Sequence, residues 1–261
     1  TKPEVSDLPT AHAMPRIVGQ VKFENVTFGY NPERPVLHNI NFTAESGQMF
    51  ALVGSTGSGK SSIVSLIARF YQPQQGRVLI DGTDIRHVTG ESLHKQMGLV
   101  LQVNYLFTGT VMENIRYARP EATEEDVIRA SKEIGSYDAI MSLPDGFTNE
   151  VGERGASMSL GQRQLICFTR AYLADPRIFM LDEATSAVDT ATEMLVQESL
   201  EKLLAGRTTF VVAHRLSTIM KADNILVIDH GRIIEQGTHR QLLDANGKYA
   251  HLYRQFVLHG A

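Results

Sequence analysis

The sequence predicts an α/β domain with a largely parallel sheet. Short apolar runs alternate with helical patterns along the 261 residues, which is typical of a parallel sheet covered by helices. One glycine-rich loop stands between a strand and a helix, and a later apolar run ends in two carboxylates. In this class the ligand lies beyond the carboxyl ends of the strands.

Residues 1–19 are rich in Pro, Ser, Thr and small residues and have no periodicity, so we interpret them as a linker or surface arm. Residues 20–261 then form the domain. Apolar residues alternate from Val21 to Phe28 and recur at Leu37, Ile40 and Phe42, which predicts an antiparallel strand pair joined by a polar turn at 31–34.

The next segment has the pattern of a phosphate-binding loop. GSTGSGKSS fits G-x-x-x-x-G-K-S/T, in which backbone N–H groups converge on phosphate oxygens, the Lys reaches the terminal phosphates and the hydroxyl binds Mg²⁺. A glycine-rich turn with an unrelated lysine would lack the flanking strand MFALV and the helical pattern SIVSLIARF. The predicted nucleotide-binding residues are Gly54, Ser55, Thr56, Gly57, Ser58, Gly59, Lys60, Ser61 and Ser62.

Strand and helix patterns continue to the end of the chain. Residues 123–134 and 137–143 are predicted helices, and the stretch of about 103–163 is interpreted as a helical insertion. Residues 193–204 form another helical pattern. The other predicted strands are 77–80, 97–101, 178–181, 208–212 and 225–228.

Polar residues at strand ends are the remaining candidates for chemistry. Asp182 could hold Mg²⁺ and Glu183 could act as general base, although two acids at a strand end could also be merely solvated. His214 could orient the attacking water, and Gln102 could contact metal or water; alone, each could be a surface or capping residue.

Composition excludes several alternatives. The net charge of −4 without a basic stripe argues against nucleic acid as a partner. No apolar run reaches the length of a membrane span, so the chain is expected to be soluble when isolated. The single cysteine, Cys167, allows no internal disulfide and is interpreted as a core residue.

Taken together, these motifs resemble the nucleotide-binding domain of ABC transporters over nearly the whole chain after the arm. The resemblance implies a P-loop NTPase RecA-like core with an antiparallel β subdomain and an inserted α-helical subdomain. It implies ATP and Mg²⁺ as ligands, Lys60, Glu183, His214 and Gln102 as catalytic residues, and Ser61, Gln102 and Asp182 as metal ligands. It also identifies Asp189 as a residue of dimer communication.

By the same resemblance, the signature that acts on the ATP of the opposite subunit is formed by Ser159, Leu160, Gly161 and Gln162. The chain has MSLGQ where the family has LSGGQ, so Met158 and Leu160 depart from the pattern. Tyr30 matches the aromatic residue that stacks on adenine, although it could instead simply close a hairpin.

The segment NEVGERG (149–155) is similar to the one that precedes the signature in exporters. The implied partners are a second nucleotide-binding domain, as a homodimer, and the transmembrane domain of the same exporter, at the cytoplasmic face of the cell (inner) membrane. Two rivals are a DNA-repair or chromosome-organising ABC protein and a module that senses ATP without hydrolysing it. The first would need a coiled-coil insertion that has no room here, and Glu183 and His214 argue against the second.

Overall fold

The computed structural model describes residues 5–100, 105–152, 155, 158–182, 190–213 and 215–258. The chain forms two compact units. The first comprises Thr1–Met97, Arg177–Glu183 and Gly206–Ala261, and the second comprises Gly98–Pro176 and Ala184–Ala205. The predicted helical insertion therefore lies within the second unit.

The first unit begins with an antiparallel sheet. Its strands are β1 (Val21–Phe28), β2 (Leu37–Ala44), β4 (Gln75–Ile80) and β5 (Thr83–Asp84), in the order β2-β1-β4-β5. The alternating apolar residues of β1 and β2 point into the core, so the predicted strand pair is confirmed. The strand predicted at 77–80 exists, but it pairs antiparallel with β1 rather than joining the parallel sheet.

The larger sheet carries the remaining strands of this unit. They are β3 (Met49–Val53), β9 (Ile178–Asp182), β10 (Thr208–Val212), β11 (Asn224–Asp229) and β12 (Arg232–Gly237), in the order β12-β11-β3-β10-β9. The strand β6 (Met97–Val100) lies where the chain passes from the first unit to the second. The pairs β11–β3, β3–β10 and β10–β9 are parallel, as predicted, so their carboxyl ends share one edge.

Sequence reading missed β12, which is antiparallel to β11. The turn between them, His230–Gly231, has positive φ at both residues (43° and 71°), the geometry of a tight hairpin turn. The sequence does not show the residue pair typical of this turn, because its first residue is a histidine where Asn or Asp is usual.

Aromatic side chains join the two sheets of the first unit. Phe42 of β2 lies 5.9 Å from Phe50 of β3 and 6.1 Å from Phe210 of β10, measured between ring centroids. All three are buried. The antiparallel sheet is therefore held against the strands of the larger sheet.

The described helices of this unit are α1 (Lys60–Ile67), α2 (Gly90–His94), α8 (Leu216–Lys221), α9 (His239–Asp244) and α10 (Lys248–Leu258).

Residues 5–19, predicted as an arm, pack along the first unit. Met14 and Ile17 are buried, and their backbone N–H groups donate to Ser92 and Gln96. The Asp7 carboxylate forms an ion pair with buried Arg69. This stretch thus contributes to the core of the unit as well as leading into β1.

The described residues of the second unit include the helices α3 (Val111–Arg116), α4 (Glu124–Ile134), α5 (Tyr137–Met141), α6 (Leu160–Leu173) and α7 (Thr190–Leu204). The helices predicted at 123–134, 137–143 and 193–204 are confirmed. A two-stranded ribbon, β7 (Gly109–Thr110) with β8 (Glu150–Val151), accompanies them. Buried residues such as Leu106, Ile115, Val127, Ile140 and Ile166 form its core.

Candidate functional site

The loop between β3 and α1 has the backbone of a phosphate cradle. Gly54 follows the last residue of β3 with φ +155°, and a Cβ placed on it would lie 2.1 Å from the carbonyl oxygen of Ile228. Only glycine fits so close to another backbone. The loop is thus seated directly on β11.

Lys60, the first residue of α1, points back into this loop. Its ammonium Nζ donates to the carbonyl oxygens of Gly54 at 2.8 Å and Ser55 at 2.9 Å. Burial lowers the pKa of Lys60, and the negative charge of Asp182 opposes that shift. The loop thus holds a largely buried cation at its centre, as binding of a terminal phosphate requires.

Two features of the loop fit a phosphate ligand. Ser58 is buried, and its Oγ has no hydrogen-bond partner among the described residues. Gly59, the N-cap residue that precedes α1, is in a left-handed conformation, and no side chain from the described part of the chain caps the helix. Unsatisfied donors at a helix N-terminus attract anions. The remaining loop residues Ser55, Thr56 and Gly57 are exposed, while Ser62 is buried.

Sheet register brings Asp182 to the same edge. In the parallel ladder Asp182 is paired with Val212, and Val212 with Leu52, just before the loop. Asp182 is half-buried and interacts electrostatically with Lys60. The exposed hydroxyl of Ser61 and the Asp182 carboxylate are hard oxygen ligands of the kind that Mg²⁺ prefers. Within the ranges that the structure describes, no group of three or more His, Cys, Asp or Glu could hold a metal.

Tyr30 lies beside the loop. Its hydroxyl is 3.1 Å from Ser62 Oγ, and its side chain is 55% exposed. The structure therefore brings the predicted adenine-stacking residue to the phosphate loop. Sequence reasoning overlooked the residues that hold this ring, Phe28 and Tyr71, because nothing in a single sequence marks an aromatic side chain as a support.

The signature segment, defined as Ser159–Gln162, begins helix α6 of the second unit. Ser159 is the N-cap, and its Oγ accepts from the Gln162 N–H at 3.2 Å while Gln162 Oε1 accepts from the Ser159 N–H at 2.9 Å. Ser159 is exposed, Leu160 half-buried and Gly161 buried. This reciprocal capping box fixes the start of a 14-residue helix.

Four predicted residues lie outside the described part of the chain: Gln102, Glu183, Asp189 and His214. Their roles stay predictions. Cys167, predicted as a core residue, is buried in the second unit, and burial raises the pKa of its thiol. No helix of the described residues is long and apolar enough to cross a membrane.

Comparison with known proteins agrees with this geometry. Residues 37–186 match the family model described as ABC transporter. The chain is 49% identical over 253 residues to the uncharacterized ABC transporter ATP-binding protein YknV of Bacillus subtilis (strain 168), covering 97% of this chain and 42% of that protein. It is 48% identical over 249 residues to the putative multidrug export ATP-binding/permease protein YgaD of the same organism, covering 95% and 43%.

A solved structure is also similar. The structure of a bacterial Atm1-family ABC exporter with ATP bound has a TM-score of 0.89 and 44% sequence identity, covering 97% of this chain and 44% of that chain. The chain thus spans less than half the length of these relatives. The predicted fold class, a P-loop NTPase core with an antiparallel β subdomain and an inserted α-helical subdomain, is confirmed. The chain has the phosphate loop, matches the family model and is almost half identical in sequence to these proteins. It therefore belongs to the ABC transporter family, whose ATP-binding domains are ATPases.

Proposed function

We propose that the chain is the ATP-hydrolysing domain of an exporter, and that two copies pair head to tail around two Mg-ATP. The observation that carries this proposal is the preformed phosphate loop. Lys60 is buried and its ammonium donates to the loop carbonyls of Gly54 and Ser55, and Ser58 Oγ is buried without a partner among the described residues. Phosphate oxygens would satisfy both groups.

In this proposal Ser61, Asp182 and Gln102 would hold Mg²⁺, which would supply positive charge beside the phosphates when bound. Lys60 and the loop N–H groups take the rest of the charge. Glu183 accepts a proton from the attacking water, and His214 orients that water in line with the bond that breaks.

The signature segment supplies the other half of each site in the partner copy. The Ser159 hydroxyl oxygen already accepts from Gln162, so its proton is left to donate to a phosphate oxygen. The exposed N-terminus of a 14-residue helix also favours an anion. Gly161 adds a backbone N–H, and Asp189 links the two sites of the pair.

Coupling to transport follows from the γ-phosphate. It bridges the two copies, so its loss on hydrolysis removes the preference for the closed pair. We propose that residues 1–19 lead from a transmembrane domain of the same exporter and that residues 20–261 are its ATPase domain. The name of the relative YgaD, an export ATP-binding/permease protein, supports this. The domain would then act at the cytoplasmic face of the membrane.

The general base is tested by Glu183→Gln. We expect turnover to fall about 10²–10⁴-fold, the usual contribution of a general base, while ATP binding remains and the ATP-bound pair becomes more stable. Phosphate release measures the first effect, and size-exclusion chromatography with ATP measures the second. Native turnover in this variant would show that another group takes the proton.

A separate assay tests the alternative class of protein. If DNA stimulated the ATPase activity of the native chain, a DNA-repair protein would be favoured.

The head-to-tail pair is tested by mixing two inactive variants. Lys60→Ala lacks the phosphate-loop cation but keeps its signature, and Ser159→Asp keeps its helix cap but places a carboxylate against the γ-phosphate. Mixed pairs contain one complete site, so an equal mixture should recover about a quarter of native ATPase activity, because half of random pairs are mixed. A mixture as inactive as each variant alone would contradict sharing of the site between copies.

A further inference from the structure

Three aromatic side chains of the first unit form a closed triangle beside the phosphate loop. The Tyr30 ring meets the Phe28 ring edge-on at 5.0 Å and 77°, and the Tyr71 ring edge-on at 5.0 Å and 88°. Phe28 and Tyr71 also meet, at 5.6 Å. Edge-to-face pairs are the favoured geometry of aromatic rings. Tyr30 is therefore restrained from two directions.

Tyr30 needs such restraint because more than half of its side chain is exposed. A ring on the surface loses rotational freedom when a ligand stacks on it, and that loss weakens binding. Phe28 is 1% exposed, so its ring is fixed in the core and supports the Tyr30 ring. Tyr71 is half-buried and makes a second edge-on contact with the Tyr30 ring, next to that of Phe28. Tyr71 thus completes a support that Phe28 alone does not provide.

The backbone that carries Tyr30 is held by the same neighbouring segment. The Gln74 side chain accepts from the Gly29 N–H and donates to the Gly29 carbonyl, both at 2.8 Å. A Cβ on Gly29 would lie 2.5 Å from the Arg34 carbonyl oxygen, so the turn is closed tightly on itself. Residues 71–74 therefore fix both the ring of Tyr30 and the backbone just before it.

This segment is also tied to the phosphate loop. It follows α1, whose first turn contains Ser62, the partner of the Tyr30 hydroxyl. Tyr30 is thus held at one end of α1 through Ser62 and beyond its other end through Tyr71. The spacing between a base stacked on Tyr30 and phosphates in the loop is then set by one short, continuous stretch of chain.

We propose that Tyr71 and Gln74 are positioning residues for the purine base of the nucleotide, acting through Tyr30. They hold the Tyr30 ring in the orientation that stacks on the base, so that this orientation exists before the nucleotide arrives. The inference rests on the proposed function, ATP hydrolysis, and extends it with the role that the family resemblance implies for Tyr30, stacking on adenine.

The test separates base binding from phosphate binding. Calorimetric titrations of the 261-residue chain with Mg-ATP and with magnesium tripolyphosphate, which has no base, are compared for Tyr71→Leu and Tyr71→Phe. Tyr71→Leu should weaken ATP binding about 3- to 10-fold, the size of an aromatic pair contact, and leave tripolyphosphate binding unchanged. Tyr71→Phe keeps the ring and should bind ATP within about twofold of the native chain.

A second background shows that the effect passes through Tyr30. Tyr30→Ala should weaken ATP binding, and adding Tyr71→Leu to it should cause no further loss, because the supported ring is gone. Gln74→Met, which keeps the length but removes both hydrogen bonds to Gly29, should weaken ATP binding in the same selective way. It also provides an independent test should Tyr71→Leu fail to fold.

Several results would overturn the proposal. Equal weakening of ATP and tripolyphosphate by Tyr71→Leu would show a general structural role, and an undiminished effect in the Tyr30→Ala background would show that Tyr71 acts by another route. Native ATP affinity in both Tyr71→Leu and Gln74→Met would exclude positioning altogether. If instead the native chain bound ATP no more tightly than tripolyphosphate, the adenine contact implied for Tyr30 would itself be wrong.

Discussion

The two helices that begin at predicted phosphate-binding elements start in opposite ways. Helix α6 starts with a complete capping box, in which Ser159 and Gln162 satisfy each other. Helix α1 follows the N-cap residue Gly59, which is in a left-handed conformation, and has no side-chain cap from the described residues. Helices α3, α4 and α9 also have capping boxes. Helices α2, α5 and α8 lack a side-chain cap among the described residues too, so the difference at α1 lies in its glycine N-cap together with the buried polar groups around it.

Burial differs between the two starts as well. The α1 start has the buried polar residues Ser58 and Lys60, whereas Ser159 at the start of α6 is exposed. Burying polar groups costs free energy unless they are paired. Burying Ser58 and Lys60 in the phosphate loop thus costs free energy, which a bound phosphate offsets. The signature segment is stable by itself and available to a partner.

The largest expected effect comes from the close approach of the loop to β11. Gly54→Ala should destabilise the chain by about 3 kcal/mol or more, because the added Cβ meets the Ile228 carbonyl oxygen at 2.1 Å. Urea unfolding measures it. Gly57→Ala is the control: Gly57 has φ +80° and open space around it, so only the backbone cost of about 1 kcal/mol applies. Equal losses would mean that the loop is not seated on β11.

Removing the buried cation should act on the ligand more than on the fold. Lys60→Ala is expected to weaken ATP binding about 10- to 100-fold, the weight of a charge-assisted hydrogen bond, in calorimetric titration. Lys95→Ala removes the same charge from a surface ion pair with Glu91 and should leave ATP affinity unchanged. Unchanged affinity in Lys60→Ala would remove the distinction between the two helix starts.

Substitutions at Ser159 separate its capping role from its proposed role in the partner site. Ser159→Ala should lower the free energy of unfolding by about 1 kcal/mol, the usual value of an N-cap, as measured by thermal unfolding. Ser159→Asp keeps the cap and should keep native stability. Both should reduce ATPase activity. Full activity in Ser159→Asp would leave this residue with a capping role only.

The smallest effect is expected at Ser58, with opposite signs for stability and binding. Ser58→Ala removes a buried hydroxyl without a described partner, so the ligand-free chain should become more stable by about 1 kcal/mol while ATP affinity falls a few-fold. Ser136→Ala is the contrast, because the Ser136 Oγ bonds to Thr169 Oγ1 at 2.7 Å. That variant should lose stability. A stability loss in Ser58→Ala would show that its hydroxyl already has a partner.

The phosphate loop was predictable because its residues are close together in sequence. The contacts of Lys60 with Gly54 and Ser55, and the capping box at Ser159, lie within a few residues of chain, which a local pattern records. The support of Tyr30 by Tyr71 and Gln74 was not predictable, because these residues are distant in sequence and carry no motif. Strand β4 was predicted, but the sheet that it joins was not, because a pattern of apolar residues does not indicate which strand pairs with it.

The sequence by itself determined the alternation of the main strands with helices, the phosphate loop and the residue types at the strand ends. Periodicity and turn chemistry act over short stretches of chain, so one sequence is enough to read them. Only the tertiary structure decided which sheet each strand joins, how closely Gly54 approaches Ile228 and which side chains hold Tyr30. Those features arise where distant parts of the chain pack together, and packing depends on shape in three dimensions.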